Sequence, residues 1–413
     1  MPDLRYHRFA KARIDAALKD TPVVGVTGPR QSGKTTLVRQ YEKSRPYITL
    51  DDATQRAAAE SDPTAFVRGL DRAIIDEVQR VPALMLALKQ SVDEDRRPGR
   101  FLVTGSADIQ AIPKAEESLA GRIEIVPLLP LARGEIVASR PPRFIDASFA
   151  GIIRPRSISL TERHTPEIES IVLSGGYPAV LKRRSDERRR VWFQSYIGAI
   201  ERHDITEIAA LHKAHRVPRL IEVLARHAGR LVNLSEIGRE TRLDSETVGR
   251  YIGLLENLYI LRLVKPWSRN ELSRLVSTPK LHFFDSGLLA SLMRLTRKRI
   301  LQDRTPLGPA LESFVFAELT KSVAWSKQQP EIHHYRDKDQ VEVDFVLENH
   351  ERQIVGIEVK AGATVTANDF RGLKRLQEHT GDAFRLGIVL YNGKTSVPFG
   401  MKLEAMPYWA LWM

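Results

Sequence analysis

Gly28-Pro29-Arg30-Gln31-Ser32-Gly33-Lys34-Thr35 is the stretch on which the fold of the N-terminal third turns. Before it, Thr21 to Val26 is short, apolar and β-rich; after it, Lys34 to Lys43 has helical character. The eight residues therefore join a strand to a helix. Glycines at 28 and 33 let the backbone curl until successive N–H groups face one concavity, a cradle suited to phosphate. There Lys34 reaches the β and γ phosphates of a nucleotide and the Thr35 hydroxyl holds a magnesium ion. ATP and Mg²⁺ are the expected ligands, bound by Gly28, Pro29, Arg30, Gln31, Ser32, Gly33, Lys34, Thr35 and Thr36.

Such a loop needs a carboxylate from a second strand, and Ala73-Ile74-Ile75-Asp76-Glu77 supplies it. Asp76 is expected to hold the magnesium through water, and Glu77 to orient and deprotonate an attacking water. Phe101-Leu102-Val103 runs into Thr104-Gly105-Ser106, whose hydroxyls are placed to sense the γ phosphate or that water. With strands at Tyr47 to Leu50 and Ile123 to Val126, five strands alternate with helical segments, the pattern of a parallel α/β sheet. These motifs, the second continuing as Ile75-Asp76-Glu77-Val78-Gln79, together with Ser118-Leu119-Ala120-Gly121-Arg122, resemble bacterial ATP-binding proteins of the AAA-type class that join a P-loop NTPase domain to a C-terminal domain of unknown function. The resemblance covers nearly the whole chain. It implies ATP hydrolysis, a homo-oligomer in many relatives, and for Arg122 the role of a finger or sensor arginine that stabilises phosphoryl-transfer charge, in a neighbouring subunit where copies assemble.

A chain of 413 residues, 42% apolar and 28% charged, suits several folded domains rather than a disordered polymer. It has no cysteine, which excludes disulfides, thiolate nucleophiles and cysteine metal sites and fits a cytoplasmic protein. No apolar run approaches the roughly 18 residues of a membrane span, so a membrane partner is not expected. The net charge of +12 favours an acidic partner, nucleic acid first. Between Leu181 and Arg230 twelve basic residues face six acidic ones.

The ATPase is expected over residues 1–135, followed by a helical linker region, 136–215. In that linker Pro141, Pro142 and Pro155 break periodicity, Leu173-Ser174-Gly175-Gly176-Tyr177-Pro178 marks a turn, and Val191 to Ile208 reads as helix. Residues 216–300 read helix, short helix, turn, longer helix and hairpin, the order of a winged helix-turn-helix, with Ser235 and Asp244 as N-caps. Val248, Ile252, Leu255 and Tyr259 line one face of the longer helix. Beside Glu246, Thr247 and Arg250 are left to meet DNA, with Tyr259 to Lys265 as the wing. The same module can instead pack on protein.

Residues 301–413 carry a second constellation. Val341 to Leu347 and Ile354 to Lys360 read as a hairpin around a turn from Glu348 to Gln353, which sets Asp344 opposite Glu358. Like charges so placed repel unless a divalent cation is shared, and Lys360 stands beside them to activate water. With Glu312 on the helical run after Gly308, the set Glu312, Asp344, Glu358, Lys360 resembles the restriction-endonuclease-like nucleases, although Val343 stands where that pattern often has proline. The resemblance implies a metal held by Glu312, Asp344 and Glu358, with Lys360 assisting attack on a phosphodiester. Three functions remain open: an ATP-driven enzyme acting on and cutting DNA, a nucleotide-gated DNA-binding or regulatory ATPase whose nuclease-like domain is inactive, and an AAA-type remodeller of proteins.

Overall fold

Val23–Thr27 (β1) is buried at every position, as a strand covered on both faces must be. In the computed structural model, which describes residues 6–106, 119–151, 167–200, 216–268 and 278–412, β1 joins Tyr47–Thr49 (β2), Ala73–Asp76 (β3), Phe101–Gly105 (β4) and Ile123–Pro127 (β5). Their order is β2-β3-β4-β1-β5, every pair parallel. Alternation divides the side chains: Val24, Val26, Ile74 and Leu102 enter one core, and Val23, Ile75, Phe101 and Val103 the other. Lys34–Val38 (α1) follows β1, and Leu84–Glu94 (α2) precedes β4. Because β4 separates β1 from β3, the loop after β1 and the carboxylates after β3 flank the end of a shared neighbour. Ser118, Pro155 and the 201–208 part of the helix expected from Val191 lie outside the described residues.

The chain forms two compact units, Met1–Leu131 with Asn257–Tyr259, and Ala132–Glu256 with Ile260–Met413. The second unit begins with short helices. Asp186–Ala199 (α3) starts five residues before the helix expected from Val191, because the Ser185 side chain accepts from the Arg188 amide and caps it. Val217–Arg226 (α4), Leu234–Thr241 (α5) and Ser245–Asn257 (α6) follow, then an antiparallel ladder of Leu261–Val264 (β6) and Lys280–Phe283 (β7). Asp244 caps α6 as expected, its carboxylate taking the Thr247 amide at 2.8 Å. Ser235 is not the other cap: Asn233 accepts from the Ser235 and Glu236 amides at 3.1 and 3.2 Å, so α5 begins one residue before that serine.

Ser286–Leu292 (α7), Arg297–Gln302 (α8) and Leu307–Val323 (α9) lead to a six-stranded mixed sheet. Its strands are Glu331–Arg336 (β8), Glu342–Glu348 (β9), Ile354–Lys360 (β10), Phe384–Tyr391 (β11), Val397–Gly400 (β12) and Leu403–Pro407 (β13), in the order β12-β13-β11-β10-β9-β8. Arg371–Thr380 (α10) buries Leu373 and Leu376 against Val343, Val346 and Phe384. Among the described residues no helix is long and apolar enough to cross a membrane.

The Ser174-Gly175-Gly176-Tyr177 turn finds its reason here. Asp285, almost fully buried, accepts the Gly176 amide at 2.7 Å and the Leu288 amide at 2.8 Å, tying the turn to the start of α7. Burial raises the Asp285 carboxyl above its usual range, while those amides pull it back. Gly175 has φ 64° and ψ −162°, a conformation essentially reserved for glycine, and a Cβ there would stand 2.3 Å from Asp285 Oδ1. Gly175→Ala is expected to cost about 3 kcal/mol through strain and overpacking, read as a lowered urea midpoint. An unchanged midpoint would show that the turn relaxes freely.

Candidate functional site

The loop after β1 is shaped by close packing. Gly28 has φ 149°, and a Cβ on it would lie 2.3 Å from the Leu128 carbonyl, so only glycine admits this approach. Gln31 and Gly33 also take positive φ. Arg8, buried, spans the loop from behind, donating at 2.7 Å to the Ser32 carbonyl and at 2.7 Å to that of Leu129. Lys34 Nζ donates to the carbonyls of Gly28 at 2.9 Å and Pro29 at 3.1 Å, folding the ammonium over the loop.

Three hydroxyls converge on Asp76. Thr35 Oγ1 and Tyr47 Oη donate to its Oδ2 at 2.9 and 2.6 Å, and Thr104 donates to Oδ1. Burial, then the Asp76 carboxylate, push the Tyr47 phenol well above its ordinary range and keep it a donor. Thr104 also accepts the Glu77 amide at 3.1 Å, and Glu77 takes a left-handed backbone with φ 59°. Gln79 Nε2 donates both to the Glu77 carboxylate and, at 2.9 Å, to Ser106. Carboxylate and hydroxyl oxygens are the donor set a magnesium ion prefers, so Thr35 and Asp76, side by side at this loop, fit that ion.

Arg122 stands elsewhere. The β1–β5 register runs from Val23↔Ile123 to Thr27↔Pro127, which places Arg122 where the strands begin and the loop where they end, roughly 16 Å apart at 3.3 Å per residue. Its guanidinium donates to Asp93 at 2.6 Å and to the Ala120 carbonyl at 3.1 Å. That distance puts it out of reach of its own loop.

In the second unit β9 and β10 pair antiparallel from Glu348↔Ile354 to Phe345↔Ile357, a hairpin centred on Glu351. Asp344 Oδ2 accepts the Val359 amide at 2.9 Å, and Lys360 bonds Glu358 at 2.9 Å. Glu312 comes from α9. Between these carboxylates stands Lys280 of β7, itself buried, with Nζ 2.9 Å from Asp344 Oδ1 and 3.3 Å from Glu312 Oε2. Burial opposes the ammonium, yet Asp344 and Glu312 together hold the Lys280 pKa above its usual range. Burial, then the Asp344 charge, raise the carboxyls of Glu312 and Glu358 well above theirs.

The residues expected to hold a metal thus surround a lysine. Among the described residues, the one trio of His, Asp and Glu whose ligand atoms all lie within 4.8 Å of one another is His227, Glu236 and Glu240; Glu312, Asp344 and Glu358 do not meet that closeness. With the ammonium between them, this set does not fit a divalent ion. Of the expected DNA contacts, the Thr247 hydroxyl donates to Asp244 at 2.8 Å, and Arg250 is exposed.

Three residues of these sites escape a reading of the sequence. Arg8 and Tyr47 lie outside any motif, and Lys280 is one of 63 lysines and arginines. Gln79 closes the motif Ile75-Asp76-Glu77-Val78-Gln79, and the structure adds its two partners, Glu77 and Ser106.

Residues 20–137 match the family described as AAA domain, residues 165–299 a domain of unknown function (DUF8612), and residues 307–411 a domain of unknown function (DUF4143). Among curated proteins, the uncharacterized protein Rv2008c of Mycobacterium tuberculosis is 31% identical over 97% of this chain and 83% of its own. An uncharacterized protein of Haemophilus influenzae is 25% identical over 73% of this chain and 76% of its own. Among solved structures, the Walker-type ATPase PABY2304 of Pyrococcus abyssi aligns with 70% of this chain and 99% of its own at 16% identity and a TM-score of 0.41. The α/β sheet with its phosphate loop is an AAA-type P-loop ATPase domain, and the chain belongs to the family of the mycobacterial protein, here with that domain followed by DUF8612 and DUF4143.

Proposed function

We propose that the chain binds and hydrolyses ATP at the loop after β1, and that nucleotide state governs its hold on DNA, which it does not cut. The observation that carries hydrolysis is the convergence of Thr35, Tyr47 and Thr104 on Asp76 with Glu77 next in sequence. The loop amides and Lys34 bind and orient the phosphates. Thr35 and Asp76 would hold magnesium, which when bound supplies positive charge against the phosphoryl oxygens. Glu77, steered by Gln79, takes the proton from the attacking water. Arg122 reaches a nucleotide only in a neighbouring copy, which makes a homo-oligomer part of the proposal.

The three helices α4 to α6 and their β6–β7 ladder follow the order of a winged helix-turn-helix, and the chain's net charge of +12 suits a polyanion. Lys280 favours the non-cutting reading, because the restriction-endonuclease-like carboxylates already have their cation. Supercoiled plasmid incubated with the protein, ATP and either Mg²⁺ or Mn²⁺ is expected to stay intact. Nicking that disappears in Asp344→Ala would overturn this part and restore Glu312, Asp344, Glu358 and Lys360 as a working nuclease.

A further inference from the structure

Two basic runs far apart in sequence meet on one surface of the second unit. Residues 182–190 hold six basic and two acidic side chains, and residues 294–299 hold four basic and no acidic ones, together a net +8 of the chain's +12. The first run enters α3 and the second spans the turn from α7 into α8. Arg189 and Arg190 of α3 and Arg297 of α8 line the same shallow cleft, floored by Phe193 and Leu295. Asp186 answers Arg189 at 3.0 Å and Glu167 answers Arg297 at 2.5 Å. Arg184, Arg188, Arg190, Arg294 and Lys298 form no ion pair among the described residues, and all but the half-buried Arg190 are exposed. By contrast α6, the candidate reading helix, carries Glu246 and Glu256 against Arg250, a net −1.

We propose that the phosphodiester backbone of duplex DNA is held on this α3 and α7–α8 surface, and that α6 is not the main phosphate contact. Phosphates follow fixed positive charge irrespective of sequence. Uncompensated guanidinium and ammonium groups on α3 and on the turn from α7 into α8 are that charge, while a net-negative helix repels the backbone. Trp192, stacked on Tyr196 at a centroid distance of 5.0 Å and covered by the Arg183 guanidinium, stiffens the base of the surface. The inference rests on the DNA part of the proposed function and adds where the DNA lies.

The test is fluorescence anisotropy of the full chain with a labelled duplex across about 50–200 mM salt, comparing wild type with the triple variant R184Q/R190Q/K298Q. Each lost phosphate contact lowers the slope of log affinity against log salt by roughly 0.9, so the triple variant is expected to lose about 2.7. Over that fourfold salt range its affinity then falls roughly fortyfold less than the wild type's. DNA-free ATPase activity is expected to stay at the wild-type rate, and an unchanged thermal unfolding profile of the full chain reports that the substituted unit still folds. A wild-type slope in the triple variant would overturn this inference alone and leave the surface to an acidic protein. A wild type that binds no duplex at any salt would overturn the DNA part of the proposed function along with it.

Discussion

Glu77→Gln is expected to lower the ATP turnover rate by about 10²–10⁴-fold while leaving nucleotide binding in place. The loss corresponds to roughly 3–5.5 kcal/mol of transition-state stabilisation at 1.36 kcal/mol per decade. The substitution is nearly isosteric: the Gln79 amide can still donate to a carbonyl oxygen where it now donates to the carboxylate, and the Glu77 amide keeps its bond to Thr104. What disappears is the base. Lys34→Ala differs, because it removes an ammonium already folded over the loop at 2.9 Å from the Gly28 carbonyl and so loses binding as well as turnover. Fluorescent-nucleotide titration beside steady-state phosphate release separates the two. Full turnover by Glu77→Gln would move the base to another group.

Lys280→Ala should destabilise the second unit by about 3–5 kcal/mol, because removing one partner from a buried ion cluster leaves the others uncompensated. Asp344 and Glu312 would lose a cation at 2.9 and 3.3 Å, and only Lys360, on Glu358, would be left to oppose the Asp344 charge on carboxyls already pushed toward protonation. A second readout keeps the role of the lysine testable. In nucleotide-free protein, Mn²⁺ is expected to raise the Tm of Lys280→Ala and not that of the wild type, since the vacated space is lined by hard oxygen ligands. Adding Asp344→Ala should abolish that rise. Equal stability of Lys280→Ala and wild type, with neither responding to Mn²⁺, would contradict the view of this lysine as the resident cation.

Much of this is legible in the sequence for a physical reason. Strands such as Val23–Thr27 and Ala73–Asp76 are buried on both faces, so they read as unbroken apolar runs, and each leads into residues proposed here to do chemistry. The β9–β10 hairpin is legible in its centre at Glu351 and in its second strand, because a short turn fixes register and a one-residue slip would turn Asp344 and Glu358 to the wrong face, although β9 runs one residue later than expected and takes Glu348 into the ladder. Local chemistry is less decisive at Asn233 and Ser235, two residues equally suited to capping, where the register of α5 picks the asparagine. Tyr47, Arg8 and Lys280 are illegible for another reason. Each acts across a long sequence distance on a partner from another element, and nothing beside a lone tyrosine, arginine or lysine announces what it will meet. The lysine changes the reading most, since the carboxylates that suggest a metal in sequence are found closed around an ammonium.

Because nucleotide state is proposed to govern the hold on DNA, bound DNA is expected in turn to alter the rate of ATP hydrolysis. The most direct measurement is the steady-state ATPase rate of the wild type, at saturating Mg²⁺-ATP, titrated with duplex, single-stranded and branched DNA, with Glu77→Gln as the blank. The rate is predicted to change and saturate with at least one of these DNAs, and the blank to stay flat. A wild-type rate identical with and without every DNA would contradict it.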